Sequence, residues 1–234
     1  MSVVNKVKKD LQSLANPKQA KLLQGFFKTG PGQYGEEDIF LGIKVPVQRS
    51  VAKKHKDLSL KDIQELLNSK IHEHRLVALF ILMDKYKKSD NKGKKQIFDT
   101  YLKNTKNINN WDLIDLSAPN IVGNYLLDKK REILYKLAHS KSLWEKRISI
   151  LATFEFIANK ETKDTLAIAE ILLHDKHDLI HKAVGWMLRE LGKRVSQTEE
   201  EKFLKKYYKV MPRTMLRYAI ERFSDEKKKF YMKK

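Results

Sequence analysis

Apolar residues recur at intervals of three and four along most of the chain. Ile63, Leu66 and Leu67 form one such stripe, and Val77, Leu79, Phe80, Leu82 and Met83 form a second. Ile148, Ile150, Leu151 and Phe154 make a third, and Ala183, Val184, Met187 and Leu188 a fourth. That spacing gathers the side chains on one face of an α-helix. Alternating segments joined by a hairpin turn are absent from the sequence. Five prolines and nine glycines give little punctuation over 234 residues, so the pattern predicts an all-α chain. Residues 1–27 read as a helical pair broken at Asn16–Pro17. The segment 28–46, KTGPGQYGEEDIFLGIKVP, reads as a Gly/Pro-rich loop leading into a new helix. The tail beyond Asp225, EKKKFYMKK, reads as a frayed basic end.

The helical segments repeat. HEHRLVALFIL, NNWDLIDLSAP, WEKRISILATF, LIHKAVGWMLR and RTMLRYAIERF align on Arg75, Trp111, Arg147, Lys182 and Arg217, at intervals of 36, 36, 35 and 35 residues. Two helices and their turns need about this length, which predicts an α/α superhelix of helical hairpins of the HEAT kind, with a concave basic groove. No linker divides it, so residues 1–234 read as one domain. Three residues after each anchor stand Ala78, Ile114, Ile150, Gly185 and Ile220, a small or apolar column that belongs in the core. Four residues after stand Leu79, Asp115, Leu151, Trp186 and Glu221. Positions i and i+4 lie almost above one another on a helix. Parallel stacking would therefore bring Arg75, Trp111, Asp115, Arg147, Lys182, Trp186 and Arg217 to one wall. Trp111 and Trp186 stand outside the apolar column, whereas Trp144 reads as packing.

Charge says what such a wall could face. There are 48 Lys and Arg against 29 Asp and Glu, a net +19. A polyanion is the expected partner, with nucleic acid first, because neutralising phosphates releases counterions. Cations for phosphate and rings for sugar or base are what a nucleic-acid groove needs. The longest clean apolar run, Leu76 to Met83, falls far short of the ~20 residues of a spanning helix. The opening MSVVNKVKKDLQSL lacks the apolar stretch of a signal peptide. No membrane partner is expected, and a cytoplasmic location is. The absence of cysteine excludes disulfides, thiolate metal sites and thiol catalysis.

Several motifs fail on context. Gly30, Gly32 and Gly35 spell G-x-G-x-x-G. However, a helix rather than a strand precedes them, Pro31 sits inside, and Glu36, Glu37 and Asp38 follow, so a turn is expected. His174, His177 and His181 could stack on a helix, but Asp175 and Asp178 read as helix-start residues and the histidines as solvated, with no metal site. His72 and His74 do not face one another. No nucleophile elbow, P-loop or H-E-x-x-H is present. Asp112 stands near a helix start, where it would cap or favour the dipole. Asp115, one turn further in, opposes phosphate binding. It serves either to pair with Arg147 or another cation, or to do chemistry.

At these residues the chain resembles the AlkD-like family of DNA alkylation-repair glycosylases, built from HEAT-like repeats. The resemblance runs along most of the chain through FLGIKVPVQR (40–49), NNWDLIDLSAPNIVG (109–123), LWEKRISILATF (143–154) and HKAVGWMLRELGK (181–193). It implies that Trp111 and Trp186 pack against the lesion's deoxyribose and that Asp115 is the carboxylate at the scissile glycosidic bond. It implies that Arg147 holds the neighbouring phosphate, and that Pro46 and Arg49 lie against DNA. Lys44, Arg75 and Lys182 join them as expected DNA contacts. The Gly-rich loop at 29–35 and the Lys44–Val45 pair depart from the family pattern and bear on lesion preference. The implied reaction is release of cationic N3- or N7-alkylated purines from duplex DNA, without cofactor or metal. It would be carried out by a monomer of bacterial type, nucleoid-associated when bound, without insertion of the base into a pocket. Two other readings stand beside it: a non-catalytic binder of distorted or branched DNA, and an RNA- or protein-binding helical repeat.

Overall fold

A computed structural model describes residues 2–233. The fold is all-α, as the periodicity predicts. Among the described residues it has fourteen α-helices and no strand beyond an isolated parallel bridge between Ile39 and Ile71. The chain divides into two compact units, Met1–Leu113 and Ile114–Lys234, with the boundary inside the helix that carries both Trp111 and Asp115.

The first unit contains α1 (Val3–Ser13), α2 (Pro17–Phe26), α3 (Val45–Lys54), α4 (Leu60–Leu67), α5 (His72–Lys88) and α6 (Asn91–Lys103), and the beginning of α7 (Trp111–Ala118). The break at Asn16–Pro17 occurs as expected. The Asn16 side chain accepts from the Gln19 N–H, and Pro17 opens α2, where its missing donor costs nothing. The centre is α5, which packs against α1, α3, α4 and α6. Leu76 to Met83 is buried throughout, so α5 is enclosed on every side. Its first four residues are charged or imidazole-bearing and are buried too: His72, Glu73, His74 and Arg75. Buried ionisable groups persist only when paired, and these groups organise the unit.

Glu73 holds the loop between α2 and α3. Its carboxylate accepts from the backbone N–H groups of Leu41, Gly42 and Ile43, at 2.9, 2.8 and 3.2 Å. Gly42 takes a positive φ of 84°, and a Cβ there would fall 2.2 Å from the Asn16 carbonyl oxygen, so no other residue fits.

In the second unit, the rest of α7 runs into a π-helical turn (Pro119–Gly123), followed by α8 (Glu132–Ala138), α9 (Leu143–Ala158), α10 (Lys163–Ile171), α11 (Asp178–Arg194), α12 (Gln197–Tyr207), α13 (Arg213–Ala219) and α14 (Asp225–Met232). Here α11 packs between α9 and α13, while α8 and α10 lie against α9 and α12 against α11. The repeat register is visible in this packing. Arg147, Lys182 and Arg217 are each the fifth residue of their helices. Within the unit, Ile114, Ile150, Gly185 and Ile220 are all buried, as the apolar column requires. Gly185 is small for a reason, since a Cβ would sit 2.4 Å from the Met215 carbonyl oxygen of α13.

The tail corrects the expectation of fraying. Residues Asp225–Met232 form α14, capped by Ser224, and Tyr231 is buried against Tyr208 and Phe223. Burial of the Tyr231 ring outweighs the surrounding lysines, because burying one large ring is worth about 1.5–3 kcal/mol.

Candidate functional site

Asp115 and Arg147 meet in the second unit. The Arg147 Nε donates to Asp115 Oδ1 at 2.8 Å, and its Nη2 donates to Oδ2 at 2.7 Å. A third bond, from Nη1 to the Leu179 carbonyl at 2.5 Å, ties the guanidinium to α11. The Arg147 side chain is only 5% exposed and that of Asp115 14%. The bidentate fork fixes the plane and direction of the carboxylate. Arg147 is therefore turned inward as the partner of Asp115. Trp186 lies half-buried on α11, its ring 6.3 Å from that of Phe154. Lys182, one turn before it, makes an i,i+4 ion pair with Asp178 at 2.7 Å.

Trp111 opens α7 and is held by the first unit on three sides. Its indole stacks on Phe27, with centroids 5.1 Å apart and planes at 21°. Phe27 stacks on Phe40 at 4.9 Å, Phe40 stacks on the His72 imidazole at 4.4 Å, and Phe27 meets the same imidazole, tilted, at 5.3 Å, so the three rings form a cluster. The indole Nε1 donates to the Tyr34 hydroxyl at 3.2 Å, and the Trp111 backbone N–H donates to Asn110 Oδ1 at 2.8 Å.

Beside this ring cluster lies a closed charge network. His72 Nε2 bonds Asp112 Oδ2 at 2.8 Å and Nδ1 bonds Asp38 Oδ2 at 3.1 Å. Asp38 also accepts from Asn110 Nδ2 at 2.9 Å and from the Arg75 guanidinium. Burial alone would depress the His72 pKa. The Asp112 charge and the hydrogen bonds to Asp112 and Asp38 outweigh it and raise the pKa to about 9. Burial would raise the pKa of Asp38, but the His72 and Arg75 partners hold it below the usual range. Two cations thus face two carboxylates. Phe27, Phe40, Ile43, Gln48, His72 and Asp112 border a cavity of about 240 Å³ beside this network.

These placements amend the expected set of contacts. Arg75 does not reach the surface: it is buried, paired with Asp38, and donates to the Ser69 carbonyl at 2.9 Å. Its assignment as a DNA contact is withdrawn, because a guanidinium so enclosed cannot meet a phosphate. Leu79 and Leu151, the apolar fourth-residue positions that the expected wall leaves out, are fully buried. Lys44, Pro46 and Arg49 are exposed at the N-terminal end of α3, and Arg49 lies over the Phe80 ring at 4.2 Å. The Gly-rich loop is a turn, as expected. Its N–H groups at Gly30 and Gly32 are taken by the side chains of Gln33 and Glu36. Instead of phosphate, the loop serves Trp111, to which it supplies Tyr34. His177 caps α11 by accepting from the Leu179 N–H, and His181 meets the Asp175 carbonyl.

Sequence reasoning missed Asp38, the pairing of His72 with Asp112, and the roles of Phe27, Phe40 and Tyr34. One signal was available. Four charged or imidazole-bearing residues, HEHR, open a helix whose next eight residues, Leu76 to Met83, are wholly apolar.

Comparison with known proteins places the chain. A family described as DNA alkylation repair enzyme matches residues 7–223. No curated protein matches the sequence. Among solved structures, one described as a predicted DNA alkylation repair enzyme from Enterococcus faecalis is similar with a TM-score of 0.68 and 14% identity. The match covers 90% of this chain and 97% of that one. At that identity the likeness speaks to the fold, and the family match, across most of the chain, speaks to membership. The chain belongs to the DNA alkylation repair enzyme family.

Proposed function

We propose that the protein is a DNA glycosylase that hydrolyses the N-glycosidic bond of cationic N3- or N7-alkylated purines in duplex DNA. The observation that carries this reading is the Asp115 carboxylate, held by Arg147 at the edge of a largely buried pair, four residues after Trp111 on α7. An alkylated purine already bears positive charge, so it departs neutral and needs no general acid. Glycoside hydrolases that must protonate their leaving group use two carboxylates; here one suffices. Asp115 would stabilise the oxocarbenium-like sugar and orient the attacking water. The faces of Trp111 and Trp186 would attract the same developing charge. Arg147 aims the carboxylate. The phosphate contacts then fall to exposed cations such as Lys44 and Arg49, with Pro46 beside them, and to Lys182.

The test is base release from duplexes carrying a single N7-methylguanine or a single uracil, read as strand cleavage at the abasic site. Release from the first and little from the second supports the mechanism. Efficient uracil excision contradicts it, because a neutral base would leave as an anion, and the proposed mechanism draws on the positive charge of the leaving base. One observation favours a second reading, a non-catalytic binder of distorted DNA: both Asp115 oxygens accept from Arg147, as they would in a purely structural pair. Tight binding of a damaged duplex without base release would support that reading.

A further inference from the structure

We infer that His72 is a positioning residue for Trp111, acting through the stacked rings of Phe40 and Phe27 and through the carboxylates of Asp38 and Asp112. Two independent routes join the residues. The first is a cluster of rings: His72 meets Phe40 at 4.4 Å and Phe27 at 5.3 Å, Phe40 and Phe27 stack on each other, and Phe27 stacks on Trp111. It sets the height and tilt of the indole. The second is polar and reaches the backbone on both sides of Trp111. From His72 it passes to Asp38, then to Asn110, whose Oδ1 accepts the Trp111 N–H. It also passes to Asp112, whose Oδ1 accepts the Leu113 N–H at 2.8 Å. His72 is the one side chain on both routes. A neutral amide in its place could satisfy one carboxylate but could not support the rings of Phe40 and Phe27.

The groups that face His72 support a charged ring. Asp38 comes from the loop, Asp112 from α7, and Glu73 and Arg75 from α5 itself. Across the adjoining cavity, α3 offers Gln48 and the preceding Lys44, and α2 offers Gln19, Leu23 and Phe26. Both ring nitrogens meet a carboxylate oxygen, which only the doubly protonated imidazolium serves with two donors. The raised pKa, about 9, agrees with this geometry. Loss of the proton removes a donor from one carboxylate, and the indole shifts with it.

The effect on catalysis rests on the reading of Trp111 as a sugar-facing ring; the positioning itself does not. The experiment measures both. In a Trp144→Phe/Trp186→Phe background, Trp111 is the sole tryptophan, and its emission, excited at the red edge of the indole band where the nine tyrosines absorb little, is followed from pH 7 to 10.5. We expect a transition with a midpoint near 9 that disappears in His72→Gln and shifts in Phe40→Leu. Far-UV circular dichroism checks that each variant is folded. Phe40→Leu leaves every charge in place and covers the case in which His72→Gln does not fold. In the otherwise native chain, each variant should slow single-turnover release of N7-methylguanine about tenfold, while DNA Kd changes less than about twofold. A folded protein whose Trp111 emission is flat across pH 9 and unaffected by Phe40→Leu overturns the inference. If no base is released by the native chain, the proposed reaction fails, while the fluorescence transition still decides the positioning.

Discussion

Removing Arg147 tests the pair at the heart of the second unit. The guanidinium makes two bonds to Asp115 and one to the Leu179 carbonyl. With side chains 5% and 14% exposed, neither charge is well solvated. Arg147→Ala takes the guanidinium charge and two hydrogen bonds from a largely buried carboxylate and one from the Leu179 carbonyl. Breaking such a pair from one side costs about 3–5 kcal/mol. Arg147→Lys keeps the charge but loses the planar fork, and should cost about 1.5–3 kcal/mol. The double variant Arg147→Met/Asp115→Leu removes both charges and should recover most of the loss suffered by Arg147→Ala. Urea unfolding followed by circular dichroism gives the three values, provided the slope with urea stays constant. A loss below about 1 kcal/mol for Arg147→Ala would refute the reasoning, because that is the worth of an exposed pair.

Further predictions follow from other sites. His72 has a folded pKa above its unfolded value of 6.5, so its contribution is complete below pH 6.5 and is lost as pH rises through about 9. The difference corresponds to roughly 3 kcal/mol at 1.36 kcal/mol per pH unit, and urea midpoints at pH 6 and 10 for native and His72→Gln protein measure it. Glu200 is buried, and desolvation followed by the Glu201 charge raises its pKa to about 8. Stability therefore falls from about pH 4.5 to 8 as the unfolded state ionises first, and Glu200→Gln should gain roughly 1–3 kcal/mol at pH 8, read from the same titrations. Gly185→Ala pushes a methyl group against α13 and should cost about 1–3 kcal/mol in thermal or urea unfolding. DNA affinity should fall with salt at a log–log slope of about −0.9 per phosphate contacted, and Arg49→Ala should flatten it by about one contact, measured by fluorescence anisotropy.

What the sequence made legible was periodic. The spacing of the anchors matches the odd-numbered helices from α5 to α13, and the column from Ala78 to Ile220 is core because one position per repeat faces inward. Trp111 and Asp115 could be placed one turn apart because both lie on one helix. Arg75 shared the phase of Lys182 and Arg217 but not their exposure, since phase fixes a direction from the helix axis and not what covers it. The His72 network joins residues 34 and 40 positions apart in sequence, and local spacing carries no trace of such a contact. The inward turn of Arg147 depended likewise on the Leu179 carbonyl of a different helix.

The central claim is that the Asp115 carboxylate accelerates departure of a cationic base. The direct measurement is single-turnover release of N7-methylguanine from a duplex by the native chain and by Asp115→Asn, with DNA affinity and far-UV circular dichroism of both. A loss of about 10² or more in rate for a folded variant that binds DNA as the native chain does is the predicted result. Equal rates of release, or tight binding by both with release by neither, would contradict it and leave Asp115 as the structural partner of Arg147.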